Sequence, residues 1–109
     1  MKIEVTKDIV RVTDLPELGE RQAVSFQAQL AAALPACPWV IEVDLGQTTR
    51  VDYSGLAVLV VALDQAQQRN REVTLYVVDP PPPVRQLLEL TRLHRVFSVV
   101  QRTAPAEPS

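Results

Sequence analysis

A mixed β-sheet with helices packed against it, in the order ββαβαβα plus a short terminal strand or helix, is the α/β fold this sequence predicts. Three observations predict it. Short segments of period-2 alternation are separated by segments of helical periodicity. The spacers between the later strands exceed the roughly ten residues that a right-handed parallel crossover needs. The chain has 109 residues, 47% apolar and 22% charged, which suits one compact core and leaves no room for a second.

Residues 1–13 read as two short strands. Ile3 and Val5 alternate with Lys2, Glu4 and Thr6, Lys7-Asp8 forms a turn, and Val10 and Val12 alternate with Arg11 and Thr13. The turn is too short for a crossover, so the pair is antiparallel. Residues 14–20, with Pro16 and Gly19, have the chemistry of a loop. A helix follows over about residues 21–34, with Phe26, Leu30 and Ala33/Leu34 on one face, and Pro35 and Pro38 stop it.

Residues 39–45 form the clearest strand, with Trp39, Ile41, Val43 and Leu45 on one face and Val40, Glu42 and Asp44 on the other. A polar connection over residues 46–50 leads through Val51-Asp52-Tyr53-Ser54-Gly55 into an apolar octet, residues 56–63. The octet continues into Gln- and Arg-rich residues that favour helix, so it is read as a helix set deep against the sheet. Asn70 is expected to end it in the left-handed conformation. Residues 73–78 are a strand, and the run from Pro80 to Pro83 breaks it and starts a helix carrying Val84, Leu87, Leu88 and Thr91 on one face. Val96, Phe97, Val99 and Val100 close the fold. The expected organisation is a single domain over residues 1–102 and a flexible polar tail over 103–109.

Composition excludes several functions. A net charge of −2 and a pI near 5.3 argue against a nucleic-acid partner held by phosphate neutralisation. The lone Cys37 allows no internal disulfide and too few thiolates for structural zinc, and it reads as an ordinary half-buried thiol. No apolar run reaches the roughly 18 residues of a membrane span. The alternating start Met1-Lys2-Ile3-Glu4 differs from the continuous apolar stretch of a secretory signal. A cytoplasmic domain with no cofactor, no metal, no nucleic acid and no membrane insertion is the expectation.

Chemistry concentrates where a strand ends, a short loop follows and a hydroxyl stands in the first turn of a buried helix. That turn has free N–H groups and a partial positive charge. Ser54 either caps the helix or carries a phosphate that those groups tolerate, and Asp52 serves equally well as the cap. Gly55, lacking a side chain, allows close approach to Ser54. A hydrolase triad of Ser54, His94 and an Asp has little support, because no Gly-x-Ser-x-Gly elbow surrounds Ser54. His94 reads as a surface or partly buried histidine. Arg69, Arg71, Arg92 and Arg95 are either a basic patch or the ordinary charges of helix ends.

Val43-Asp44-Leu45, Asp52-Tyr53-Ser54-Gly55-Leu56, the Gln- and Arg-rich residues 67–71, the strand 73–78, the leucine-rich residues 84–90 and Leu93-His94-Arg95-Val96-Phe97 stand in the order and spacing of a known pattern. In these residues the chain resembles the STAS domain of bacterial anti-sigma factor antagonists (anti-anti-sigma factors). Three departures stand out: Tyr53 replaces the usual first Ser or Thr, Asn70 and Arg92 occupy places where glycine is common, and the usual upstream signature is replaced by an irregular segment over residues 15–20. Asn70 is expected to keep the glycine-like turn and Arg92 to alter the last one.

The resemblance implies a non-enzymatic phospho-switch. Ser54 is then the acceptor, and Asp52, Tyr53, Ser54, Gly55 and Leu56 form the surface that binds an anti-sigma factor with serine kinase activity. Small STAS proteins also resemble an accessory subunit of lipid-trafficking ABC transporters, and the alternative partner is that transporter's ATPase.

Overall fold

The structure, a computed structural model, describes residues 1–102; the expected tail over 103–109 lies outside them. The elements run β1 (Lys2–Thr6), β2 (Ile9–Thr13), β3 (Glu17–Leu18), α1 (Glu20–Ala33), β4 (Val40–Asp44), β5 (Arg50–Val51), α2 (Tyr53–Arg69), β6 (Thr74–Val78), α3 (Pro82–Leu90), a 3-10 turn (Leu93–Arg95) and β7 (Ser98–Val100). Five strands make one sheet in the order β1-β2-β4-β6-β7. Only β1 and β2 are antiparallel, as their short turn requires; β4, β6 and β7 add in parallel through helical crossovers.

Register explains the core. Val10 lies opposite Ile41 and Ile41 opposite Leu75, while Val12, Val43, Val77 and Val99 form the next row. The first three residues of each row are buried, together with Phe26 and Leu30 of α1, Leu56, Leu59 and Leu63 of α2, and Val84 and Leu88 of α3, so the buried side chains of all three helices join one cluster with this face of the sheet. Fully burying a Leu or Val stabilises by about 1.5–3 kcal/mol. The octet is helical, as its continuation predicts, and its buried residues are Leu56, Val58, Leu59, Ala62 and Leu63.

The reverse face of β4 carries Val40, Glu42 and Asp44. Glu42 is only 7% exposed and sits in a row between Arg11 and Tyr76. Arg102 Nη1 donates to Glu42 Oε1 at 2.8 Å and Arg11 Nε to the same oxygen at 3.3 Å. The Arg102 hydrogen bond, helped by Arg11, holds the Glu42 carboxyl below its ordinary range despite burial. A charge in a central strand is tolerated because two arginines reach it from the second strand and from the end of the described chain.

Three local expectations are corrected. Asn70 is extended (φ −154°), not left-handed; its side chain donates to the Pro38 carbonyl and accepts from Glu72 N–H, making the turn by hydrogen bonds instead. The left-handed residue is Arg92 (φ 61°, ψ 17°), so the turn after α3 keeps its geometry and arginine bears the strain. Cys37 is exposed, because the segment between Pro35 and Pro38 loops outward. Arg92→Gly is expected to stabilise the protein by roughly 0.5–1 kcal/mol and raise its melting temperature by about 3–6 °C in a thermal scan. An unchanged or lower midpoint would remove the strain argument.

Candidate functional site

The site is built by two segments that the sequence presents as loops. β3 pairs in parallel with β5, placing Leu18 opposite Val51, and this two-stranded ribbon stands apart from the main sheet. Thr49 N–H donates to the Pro16 carbonyl at 2.8 Å, the buried Thr48 hydroxyl donates to the Leu15 carbonyl, and Asp52 N–H donates to the Leu18 carbonyl at 3.3 Å. The connection before α2 is therefore stitched to the connection before α1, and the two helix starts meet.

Asp52 joins them. It is the N-cap of α2, and its Oδ1 accepts the Gly55 N–H at 3.0 Å. Its Oδ2 accepts the Glu20 N–H at 3.1 Å, in the first turn of α1. The N-cap of α1 is Gly19, which has no side chain to cap with, so Asp52 supplies the missing acceptor from another part of the chain. Gln22 completes the arrangement by accepting the Gly19 N–H on Oε1 at 2.9 Å. These donors, Gly55 N–H first and Glu20 N–H after it, lower the Asp52 carboxyl from its ordinary range, with a contribution from the Arg50 charge.

Sequence alone left the choice of cap open between Asp52 and Ser54. Asp52 takes the role, and Ser54, second residue of α2, is exposed with its hydroxyl free of any hydrogen bond among the described residues. Tyr53 beside it is 63% exposed. Gly55 and Leu56 face inward. Leu56 is 1% exposed, in the core. A Cβ on Gly55 would lie 2.0 Å from the Leu18 carbonyl oxygen, so the close approach that this glycine allows is from β3 inside the molecule, not from outside. Of the five motif residues, only Tyr53, Ser54 and the rim of Asp52 reach the surface.

Sequence reasoning missed Leu18, Gly19, Glu20, Gln22 and Arg50 as members of this region. A Gln three residues after a loop Gly and just before a helical pattern was the available signal for the α1 side. His94 lies elsewhere, exposed, with Nδ1 3.3 Å from the Leu88 carbonyl. Arg69, one of the four arginines at helix ends, donates to the Leu34 and Pro35 carbonyls and so ties α2 to the end of α1. Among the described residues no group of His, Cys, Asp or Glu is placed to hold a metal ion, and no helix is long and apolar enough to cross a membrane.

Asp52→Asn is expected to destabilise by about 1 kcal/mol, because a carboxamide has one acceptor oxygen and serves only one of the two helix starts. A carboxyl lowered on folding stabilises above its unfolded pKa, and that contribution is lost as pH falls through the folded value. The difference in melting temperature between wild type and Asp52→Asn is thus present at pH 7 and narrows on acidification; a gap independent of pH would contradict the charge-assisted bridge.

A mixed five-stranded sheet with three helices, in this order, matches the fold of STAS domains. The family model described as "Mlab, STAS domain" matches residues 10–101, and the chain belongs to that family. No curated protein sequence matches it. Among solved structures, a protein of Thermotoga maritima assigned as an anti-sigma factor antagonist is 20% identical with a TM-score of 0.78, covering 91% of this chain and 84% of that one. A STAS-domain anti-sigma-factor antagonist protein from Planctomyces limnophilus is 18% identical with a TM-score of 0.74, covering 94% and 91%. The Bacillus cell fate determinant SpoIIAA in its phosphorylated form is 14% identical with a TM-score of 0.65, covering 94% and 90%. At these identities the likeness is one of fold.

Proposed function

We propose that this protein is an anti-sigma factor antagonist that binds an anti-sigma factor with serine kinase activity while Ser54 is unmodified, and releases it once Ser54 is phosphorylated. The observation that carries the reading is the division of labour at the start of α2: Asp52 caps the helix, which leaves the Ser54 hydroxyl free and exposed. Phosphate there adds roughly −1.5 to −2 charges next to Asp52. The partial positive charge of the helix start offsets part of that charge within the chain, whereas a closely fitted partner has no such compensation. The domain acts as the substrate of another enzyme, in the cytoplasm, without a cofactor of its own. Incubation with the cognate kinase and ATP, followed by intact mass measurement, is expected to add one phosphate to wild type and none to Ser54→Ala. Equal incorporation by the two proteins would remove Ser54 as the acceptor.

A second reading is favoured by the match to a Mlab-type STAS domain over residues 10–101, and by Tyr53 in place of the first hydroxyl. In it the same helix start docks on the ATPase of a lipid-trafficking ABC transporter. Recovery of a transporter ATPase and no sigma regulator in a pull-down selects this reading over the first.

A further inference from the structure

Among the described residues β7 forms one edge of the five-stranded sheet and β1 the other. The two edges are built differently. β1 carries Lys2 and Glu4, paired at 3.6 Å, which discourages the addition of another strand. β7 is Ser98-Val99-Val100, with no charge and no proline. Asp79 N–H donates to the Val100 carbonyl at 2.8 Å, and with Val78 opposite Val100 the parallel ladder turns the backbone groups of Ser98 and Val100 toward β6. Those of Val99 therefore point outward. Its side chain is 39% exposed at the open end of the core row.

Beside this edge lies an open cleft of about 570 Å³, bounded by Arg85 of α3 and by His94 and Arg95 of the 3-10 turn, over the buried Leu88 and Phe97. Glu89 is the one carboxylate on its wall. Among the described residues neither Arg85 nor Arg95 has an ion-pair partner. The Leu88 carbonyl near His94 Nδ1 can only accept, so Nδ1 carries the proton and Nε2 remains available. Cations from two elements thus converge next to backbone groups that have no partner among the described residues, in a chain whose net charge is −2. The cleft is apart from Ser54: α2 starts beyond the C-terminal end of β4, whereas the 3-10 turn feeds the N-terminal end of β7.

We propose that this edge and cleft take an extended acidic segment of a partner protein, which adds to β7 through the Val99 N–H and carbonyl and sets its carboxylates against Arg85 and Arg95. Backbone pairing supplies the direction of the added strand, and the guanidinium pair supplies the preference for acid.

The test titrates the full, ¹⁵N-labelled chain with a fluorescein-labelled decapeptide of alternating Glu and Val, and with its Lys-Val counterpart, reading both amide shifts and fluorescence anisotropy. The Glu-Val peptide is expected to shift Val99 and its neighbours and to bind at least about tenfold more tightly than the Lys-Val peptide. The variant Arg85→Glu/Arg95→Glu, altered only at exposed positions, is expected to reverse that preference while keeping its melting temperature. Val99→Pro removes the outward N–H and leaves the Val100 ladder bond in place, and is expected to lose binding of the Glu-Val peptide. Equal binding of the two peptides, shifts centred away from β7, or an unchanged preference in the charge-reversed variant overturns the proposal. So does an identical response to free glutamate, which would leave an anion site without strand addition. None of these outcomes depends on Ser54.

Discussion

Gly55→Ala is expected to destabilise the protein by about 3 kcal/mol or more and to lower its melting temperature by roughly 12 °C or more. The usual effect of this substitution inside a helix has the opposite sign, since alanine is favoured over glycine by about 1 kcal/mol. Position 55 reverses the sign because the added Cβ would meet backbone: the Leu18 carbonyl oxygen at 2.0 Å and its carbon at 2.8 Å. No rotamer change relieves a contact with a carbonyl. Either β3 leaves β5 or the first turn of α2 moves outward, and each movement breaks the Asp52 bridge between the two helix starts. Gly46 supplies an internal control. A Cβ there would meet a side-chain oxygen, Asp44 Oδ1 at 3.0 Å, which can move. Urea unfolding should therefore rank Gly55→Ala well above Gly46→Ala in cost. A neutral or stabilising Gly55→Ala is incompatible with the packing described.

The second large effect is on affinity and leaves the fold alone. Ser54→Glu, or enzymatic phosphorylation of Ser54, is expected to weaken binding to the partner about 100-fold, equivalent to about 2.7 kcal/mol, with the melting temperature within a few degrees of wild type. A negative charge in the first turn of a helix is mildly favourable to the helix itself, by about 0.3–1 kcal/mol. In the proposed function its cost falls on the partner, at a helix start where Asp52 already presents a carboxylate and Tyr53 a large exposed ring. Titration of the partner against both forms by calorimetry measures the difference. Equal affinities would remove the switch while leaving the fold assignment untouched. Paired with Gly55→Ala, the experiment separates two neighbouring motif residues: one loses stability, the other loses binding.

Much of the architecture was legible because it rests on local periodicity. Alternation in residues 39–45, the β-branched and aromatic residues of 73–78, the turn too short for a crossover at Lys7-Asp8, and the Pro-bounded helices each dictate one element with little competition. The segments whose structure differs from their local pattern are those where a partner distant in sequence decides. Residues 14–20 and 46–50 look like separate loops, and only their mutual hydrogen bonds make them a ribbon. Glu42 looks like a solvent-facing alternation residue until Arg102, sixty positions away, closes over it. Asn70 has the right chemistry for a left-handed turn, but its carboxamide found two backbone partners and the extended form won. Arg92, a poor candidate for positive φ, is held there by the path from α3 into β7.

The linear pattern of apolar and polar residues thus established the order of the main-sheet strands and the helices, the depth of the second helix, and a hydroxyl at its start. Those are consequences of periods of two and 3.6 and of turn chemistry, which act over a few residues. Folding in three dimensions chose which neighbour caps that helix, and so which one is left over. Asp52 is drawn to two helix starts at once, a juxtaposition that exists only after β3 has paired with β5, and Ser54 faces outward as its result.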